Sequence, residues 1–118
     1  MGKTVLIVDD HPSFRASARR LLEADGYIVL GEAEDGAGAL AATQRLRPDL
    51  VLLDVRLPDI DGFEVTQRLL DANGHTPRIV LTSSQDSFDL GEAISSSGAS
   101  GFIPKAELTG TALAELLR

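Results

Sequence analysis

The sequence predicts an α/β domain in which five parallel strands alternate with five helices. Five short apolar segments recur along the chain, and each is followed by a segment whose apolar residues recur with helical period. Strands that are apolar on both faces and alternate with helices imply a parallel sheet covered by helices on both sides. No linker or low-complexity tract interrupts the 118 residues, so we expect one domain over residues 1–118.

The first half of the chain predicts two strand–helix units. Thr4–Val8 is an apolar run of strand length, and Pro12 begins a helix that Gly26 ends. Tyr27–Ala33 is a second strand, and its mixed composition places it nearer an edge of the sheet. The turn that follows leads into an alanine-rich helix over Ala37–Leu46, which a proline stops.

The second half predicts three more units. In chain order they are strand Leu50–Leu53, helix Phe63–Ala72, strand Ile79–Leu81, helix Asp86–Ser97, strand Gly101–Ile103 and helix Glu107–Leu117. The third strand is entirely apolar, which indicates that it is buried on both faces. The fourth helix is the weakest, because it contains several serines and a glycine.

Composition and charge exclude several classes of function. The chain contains no cysteine, which rules out a disulfide scaffold, a cysteine-ligated metal centre and a thiol nucleophile. Its 18 acidic residues against 11 lysines and arginines give a net charge of −7, which repels nucleic acid and anionic membranes. No apolar run has the length of a membrane span. We therefore expect a cytoplasmic chain that binds neither nucleic acid nor membrane.

Polar residues follow four of the five strands. Asp9 and Asp10 follow the first, Asp54 the third, Thr82 the fourth and Lys105 the fifth. Ligands bind beyond the carboxyl ends of the strands in open parallel sheets, at the point where strand order reverses. If the order is 2-1-3-4-5, the first and third strands are neighbours and the three carboxylates converge.

This set of residues suits the transfer of a phosphoryl group. Clustered carboxylates without cysteine or histidine favour Mg²⁺, with Mn²⁺ as the alternative ion. A lysine and a hydroxyl beside them suit a tetrahedral anion, and an aspartate carboxylate is an established nucleophile toward phosphorus. The deduced chemistry is phosphorylation of an aspartate. We expect His11 to be a loop residue before Pro12 rather than a metal ligand.

Four segments together resemble the receiver domain of bacterial two-component response regulators. They are VLIVDDHPSFR, VLLDVRLPDIDGFEV, RIVLTSS and GASGFIPKAEL, and they cover nearly the whole chain in the family's order. The resemblance implies a flavodoxin-like (βα)5 three-layer sandwich with parallel sheet order 2-1-3-4-5. It also implies that a sensor histidine kinase or a histidine phosphotransfer protein donates the phosphoryl group.

The resemblance implies a role for each residue of the acidic pocket. Asp54 matches the phosphoacceptor, and Asp10 matches the metal-binding carboxylate with Asp9 as its acidic neighbour. The backbone carbonyl of Arg56 matches the third metal ligand that the protein supplies. We expect the Arg56 side chain to lie over the mouth of the site and slow the loss of phosphate, pairing with the phosphoryl group or with Asp59 or Glu64.

Further residues match the family's switch. Thr82 matches the switch hydroxyl, Phe102 the switch aromatic and Lys105 the lysine of the site. Ser83 and Ser84 fall at positions that tune access and dephosphorylation. The motifs are most like those of receivers that carry a helix-turn-helix output domain. We therefore expect either a stand-alone receiver that acts on an effector protein or one excised from a longer regulator, and phosphorylation-dependent homodimerisation is compatible with both.

Two other functions compete with the phosphorylated receiver. An aspartyl-nucleophile phosphatase needs a second aspartate two residues after the nucleophile, and Arg56 stands there. A pseudo-receiver would serve as a protein-interaction module without phosphorylation, but Asp10, Asp54, Thr82 and Lys105 argue against it. We therefore expect a signalling domain and not an enzyme.

Overall fold

A computed structural model describes residues 2–72, 74–84 and 91–117. In chain order the elements are β1 (Thr4–Val8), α1 (Pro12–Ala24), β2 (Ile28–Ala33), α2 (Gly36–Leu46), β3 (Leu50–Asp54), α3 (Gly62–Asp71), β4 (Arg78–Ser83), α4 (Gly91–Ser97), β5 (Gly101–Pro104) and α5 (Gly110–Leu116). The strands form one parallel sheet in the order β2-β1-β3-β4-β5. The predicted fold and strand order are confirmed.

The burial of the strands follows their place in the sheet. Every residue of β3 is buried, as its uninterrupted apolar sequence predicted, because helices cover the central strand on both faces. By contrast, β2 lies at an edge, and the Ile28 side chain at its start is about half exposed.

Apolar side chains of successive strand residues alternate between two core clusters, one on each face of the sheet. The cluster that includes α2 and α3 contains Leu6, Val8, Ala33, Ala39, Ala42, Val51, Leu53, Val55, Val65, Leu69, Ile79 and Leu81. The cluster that includes α1 and α5 contains Val5, Ile7, Ala18, Leu22, Leu50, Leu52, Val80, Ile103, Leu108, Leu113 and Leu117. The sheet is therefore the middle layer of three. In the part of the chain that the structure describes, no helix combines the length and apolar character needed to cross a lipid bilayer.

The start of the last helix differs from the predicted one. The chain forms a single 3₁₀ turn at Lys105–Glu107, so the last helix begins at Gly110 rather than at Glu107. The Thr109 hydroxyl accepts a hydrogen bond from the Ala112 amide at 2.9 Å, and this N-cap sets the start of α5. The predicted beginning of the fourth helix at Asp86 lies outside the described residues, and α4 is described from Gly91.

Three strands extend further than the apolar pattern indicated, and β5 does so by one residue, to Pro104. Asp54 is the last residue of β3, and β4 continues through Thr82 and Ser83. Parallel pairing of Asp54 with Thr82 and of Ser83 with Pro104 carries these polar residues into the sheet. Their side chains are thereby fixed on regular strand backbone instead of on loops.

Candidate functional site

The register of the sheet brings the strand-end residues together. Val8 is opposite Leu53 in the pairing of β1 with β3, so Asp9 and Asp54 are the next residues on neighbouring strands. Asp54 is opposite Thr82 in the pairing of β3 with β4. All three side chains are buried, at the carboxyl edge where strand order reverses. The predicted convergence of these residues is therefore present.

Lys105 lies between two of the buried carboxylates. Its Nζ atom is 2.6 Å from Oδ2 of Asp9 and 3.2 Å from Oδ2 of Asp54. The ammonium group also lies 4.7 Å from the centre of the Phe14 ring. The side chain of Lys105 is 15% exposed, so a single cation with little access to water compensates both acids.

Burial and the neighbouring charges shift the pKa values of both Asp54 and Lys105. Burial raises the pKa of Asp54, and the negative charge of Asp9 raises it further, whereas the Arg56 amide and Lys105 lower it. Burial by itself would lower the pKa of Lys105. Its hydrogen bond to Asp9 and the charges of Asp54 and Asp9 outweigh that effect, so the pKa of Lys105 is raised and its ammonium form is favoured.

The same pocket contains a group of atoms that could hold a metal ion. Asp9, Asp10, His11 and Asp54 each offer one ligand atom, and these four atoms all lie within 4.8 Å of one another. The carboxylate oxygens suit Mg²⁺, so the predicted acidic residues fit that ion. His11, which the sequence analysis assigned to a loop, lies beside these acids, with its Nδ1 atom 3.0 Å from Oδ1 of Asp9 and 3.1 Å from Oδ1 of Asp10. The sequence signal was its place directly after two aspartates, at the N-cap of α1.

The Thr82 hydroxyl is buried beside Asp54. The residue is 1% exposed, and its Oγ1 atom makes no hydrogen bond to any residue that the structure describes. A buried polar group without a partner costs about 1–3 kcal/mol, so such a group needs a physical explanation. An anionic ligand bound at Asp54 would supply the missing acceptor.

The backbone at Arg56 contacts the central carboxylate. Its amide donates a hydrogen bond of 3.2 Å to Oδ1 of Asp54, and its side chain is exposed. The two carboxylates that the sequence offered as partners for Arg56 make other contacts. Asp59 accepts hydrogen bonds from the first amides of α2, and Glu64 forms an ion pair with Arg68 at 3.0 Å.

The other residues singled out by sequence flank the pocket. Phe102 is half-buried and packs against the core cluster that includes α2 and α3. Its backbone is paired with Leu81, directly before Thr82. Ser83 is buried at the end of β4, whereas Ser84 is exposed. Both serines directly follow Thr82 in the chain.

Gly62 and Asp59 hold the loop after Asp54, and the sequence analysis named Asp59 only as a partner for Arg56. The Gly62 amide donates to the carbonyl of Val55 at 2.7 Å, and a Cβ at Gly62 would lie only 2.5 Å from the backbone oxygen of Asp54. Asp59 accepts hydrogen bonds from the amides of Gly36 at 2.7 Å and Ala37 at 2.9 Å. These bonds lower the pKa of Asp59 to about 2 and tie the loop to α2.

Comparisons with known proteins agree with this geometry. A family model described as "Response regulator receiver domain" matches residues 5–117. BvgA of Bordetella pertussis is 37% identical over 107 residues, which make up 91% of this chain and 51% of that protein. The response regulator GacA of Pseudomonas viridiflava is 35% identical over 116 residues, which make up 97% of this chain and 51% of that protein.

A solved structure gives the same result. The signal receiver domain of NarL from Mycobacterium tuberculosis superimposes with a TM-score of 0.86 at 33% identity, covering 98% of this chain and 97% of that chain. The chain spans about half the length of the curated relatives that it matches.

Proposed function

Because the chain belongs to the family of response regulator receiver domains, we propose that it accepts a phosphoryl group on Asp54 and relays this event as a conformational change. The observation that carries the proposal is the buried Thr82 hydroxyl, which lacks a partner among the described residues and lies opposite Asp54 in the sheet. A phosphoryl group on Asp54 supplies strong acceptor oxygens where this donor needs one.

The reaction is a displacement at phosphorus. An oxygen–phosphorus bond forms at a carboxylate oxygen of Asp54 while the phosphorus–nitrogen bond to the donor imidazole breaks, and the imidazole leaves with the electron pair. Lys105 favours the ionised form of Asp54, which is the nucleophile, and offsets negative charge on the transferred group. The chain's contribution is positioning and charge neutralisation.

The acidic cluster fits a divalent cation. Asp10, Asp54 and the backbone carbonyl of Arg56 would hold Mg²⁺, or Mn²⁺ in its place, with Asp9 as the neighbouring acid. When bound, the ion neutralises charge on the transferred phosphoryl group. This assignment is supported by the close approach of the carboxylate oxygens and by the position of Arg56, whose amide already contacts Asp54.

The signal leaves the site through Thr82 and Phe102. The hydroxyl moves toward the phosphoryl oxygens, and the space that it leaves admits the Phe102 ring, which shifts an existing equilibrium between two conformations. This proposal is supported by the half-buried position of Phe102, whose backbone is paired beside Thr82. Arg56, Ser83 and Ser84 at the mouth of the site modulate the lifetime of the phosphorylated state.

The partners follow from this chemistry. The donor is a sensor histidine kinase or a histidine phosphotransfer protein in the cytoplasm, and the receiver of the signal is an effector protein or an output domain. Phosphorylation-dependent pairing of two copies is the corresponding change in assembly. The chain acts as a signalling domain rather than as an enzyme, and its net charge of −7 disfavours direct contact with nucleic acid or membrane.

The test is phosphorylation by a small acyl phosphate in the presence of Mg²⁺, followed by intact mass. We expect one phosphoryl group on the wild type, none on Asp54→Asn, and unchanged uptake by Asp71→Asn, an exposed aspartate at the end of α3. Full uptake by Asp54→Asn would place the phosphoryl group elsewhere. No uptake by the wild type would favour the pseudo-receiver, and continuous release of phosphate would favour the phosphatase.

A further inference from the structure

We propose that His11 is an additional metal ligand of the carboxylate cluster, so that the site binds Zn²⁺ and Ni²⁺ more tightly than Mg²⁺. The inference rests on the proposed function to the extent that it uses the same acidic pocket. It concerns a residue that the sequence analysis placed in a loop, and it changes the class of cation that the pocket selects.

The geometry at His11 carries the proposal. Nδ1 of His11 lies 3.0 Å from Oδ1 of Asp9 and 3.1 Å from Oδ1 of Asp10, so this nitrogen faces both carboxylates at once. A carboxylate oxygen of Asp54 completes a set of four candidate ligand atoms that all lie within 4.8 Å of one another. The four side chains come from two neighbouring strand ends and the N-cap of α1.

The backbone of His11 is fixed, and its ring contacts the acidic residues through Nδ1. The amide of His11 donates to Oδ1 of Asp9 at 2.8 Å, and its carbonyl accepts the Arg15 amide at 3.2 Å. The ring makes no capping hydrogen bond to α1, and the side chain is 65% exposed. An ion between these atoms would replace the contact of Nδ1 with Oδ1 of Asp9, taking the lone pair of Nδ1 and leaving the proton on Nε2.

The charge of the cluster matches a divalent ion. The cluster contains the carboxylates of Asp9, Asp10 and Asp54, and the ammonium of Lys105, paired with Asp9 and Asp54, offsets one of their three negative charges. A neutral imidazole adds a ligand without adding charge, so it strengthens coordination without increasing repulsion between the acids.

The ligand preference of each ion determines how much a histidine strengthens its binding. Mg²⁺ prefers oxygen ligands and retains several of its waters, so an imidazole contributes little to its binding. Zn²⁺ and Ni²⁺ accept imidazole nitrogen readily and bind mixed nitrogen and oxygen sites more tightly than the hard ions do. We therefore expect the three-residue sequence Asp9, Asp10 and His11 to favour these ions over Mg²⁺.

The test is calorimetric titration of the metal-free chain with Zn²⁺ and with Mg²⁺. The wild type is compared with His11→Ala and with His75→Ala, which removes the other histidine of the sequence. We expect His11→Ala to weaken Zn²⁺ binding by about tenfold or more and to change Mg²⁺ binding by less than about twofold. His75→Ala should change neither, and Mg²⁺ should compete with Zn²⁺ in the wild type.

Zinc coordination by His11 can also be tested on the wild type, without any variant. Zinc should shift the ¹⁵N resonance of Nδ1 in His11, whereas a ring that only donates a hydrogen bond would keep its resonance. Equal Zn²⁺ affinity in His11→Ala, loss of it in His75→Ala, or zinc binding without competition from Mg²⁺ would overturn the proposal. Mg²⁺ binding that survives Asp10→Ala would instead contradict the proposed function, so the two failures are distinguishable.

Discussion

The coupling between Lys105 and Asp54 can be measured by replacing each residue alone and both together. Lys105→Met removes the ammonium and keeps an apolar stem against the Phe14 ring. At 3.2 Å and an effective dielectric constant of about 20, the attraction of Lys105 for Asp54 is about 5 kcal/mol before the cost of desolvating the two groups. Desolvation cancels much of this, so we expect a net coupling of about 2 kcal/mol.

The assay is urea unfolding at pH 7 with a chelator present, followed by far-ultraviolet circular dichroism. Lys105→Met should lower the free energy of unfolding by about 3 kcal/mol, because Asp9 and Asp54 are left buried without their cation. In the Asp54→Asn background the same change should cost about 1 kcal/mol, since one of the two buried charges is already gone. The exposed Lys3, the other lysine of the chain, provides the control Lys3→Met.

Two outcomes of these unfolding measurements would contradict the coupling between Lys105 and Asp54. If Lys105→Met costs the same in both backgrounds to within about 0.5 kcal/mol, Lys105 and Asp54 are energetically independent in the folded state. A loss of similar size in Lys3→Met would show that removing a lysine acts through net charge and not through the buried contacts. The proposed coupling requires that Lys105→Met strongly lowers the free energy of unfolding and that this effect is smaller in the Asp54→Asn background.

Three further predictions test the loop after the central strand. Gly62→Ala should lower the free energy of unfolding in urea by about 1–3 kcal/mol, because the new Cβ would lie 2.5 Å from the backbone oxygen of Asp54. Gly91→Ala, with nothing within 4 Å, should not, and equal losses would contradict the steric argument. Asp59→Asn should destabilise the chain at pH 7. Because the folded pKa of Asp59, about 2, lies below its ordinary value of 3.8, its contribution is present above pH 4 and is lost as the pH falls toward 2. A deficit in thermal unfolding that persists at pH 2 would exclude this cause. Arg56→Ala should shorten the lifetime of the phosphorylated form by up to about fivefold, measured as loss of phosphate in excess Mg²⁺. Equal lifetimes would remove the shielding role.

The sequence predicted the layers of the fold because burial leaves a direct pattern. Leu50–Leu53 is apolar at every position, and the structure covers that strand on both faces. The sequence also predicted that Asp9, Asp54 and Thr82 converge, since the carboxyl ends of parallel strands share one edge of the sheet. The first prediction depends on periodicity and chain order alone, whereas the second also needs the strand order that the resemblance to receiver domains implies.

Other features depend on hydrogen bonds rather than on the burial of apolar side chains, and hydrophobic periodicity contains little trace of them. The last helix begins at Gly110 because a 3₁₀ turn follows Lys105 and Thr109 caps the helix. Polar Thr82 and Ser83 lie within β4 because neighbouring strands pair with them. Hydrophobic periodicity could not place these boundaries, since the decisive hydrogen bonds involve backbone groups rather than apolar side chains.

By itself the sequence therefore determined the parallel sheet and the acids, lysine and hydroxyl at its edge, and its resemblance to receiver domains supplied the strand order. Only the tertiary structure decided that Lys105 bridges Asp9 and Asp54, that Gly62 lies against the backbone of Asp54, and that the ring of His11 faces the carboxylates. The physical reason is that strand order fixes where a backbone ends, whereas the direction of a side chain depends on local dihedral angles and on packing against residues far away in the chain.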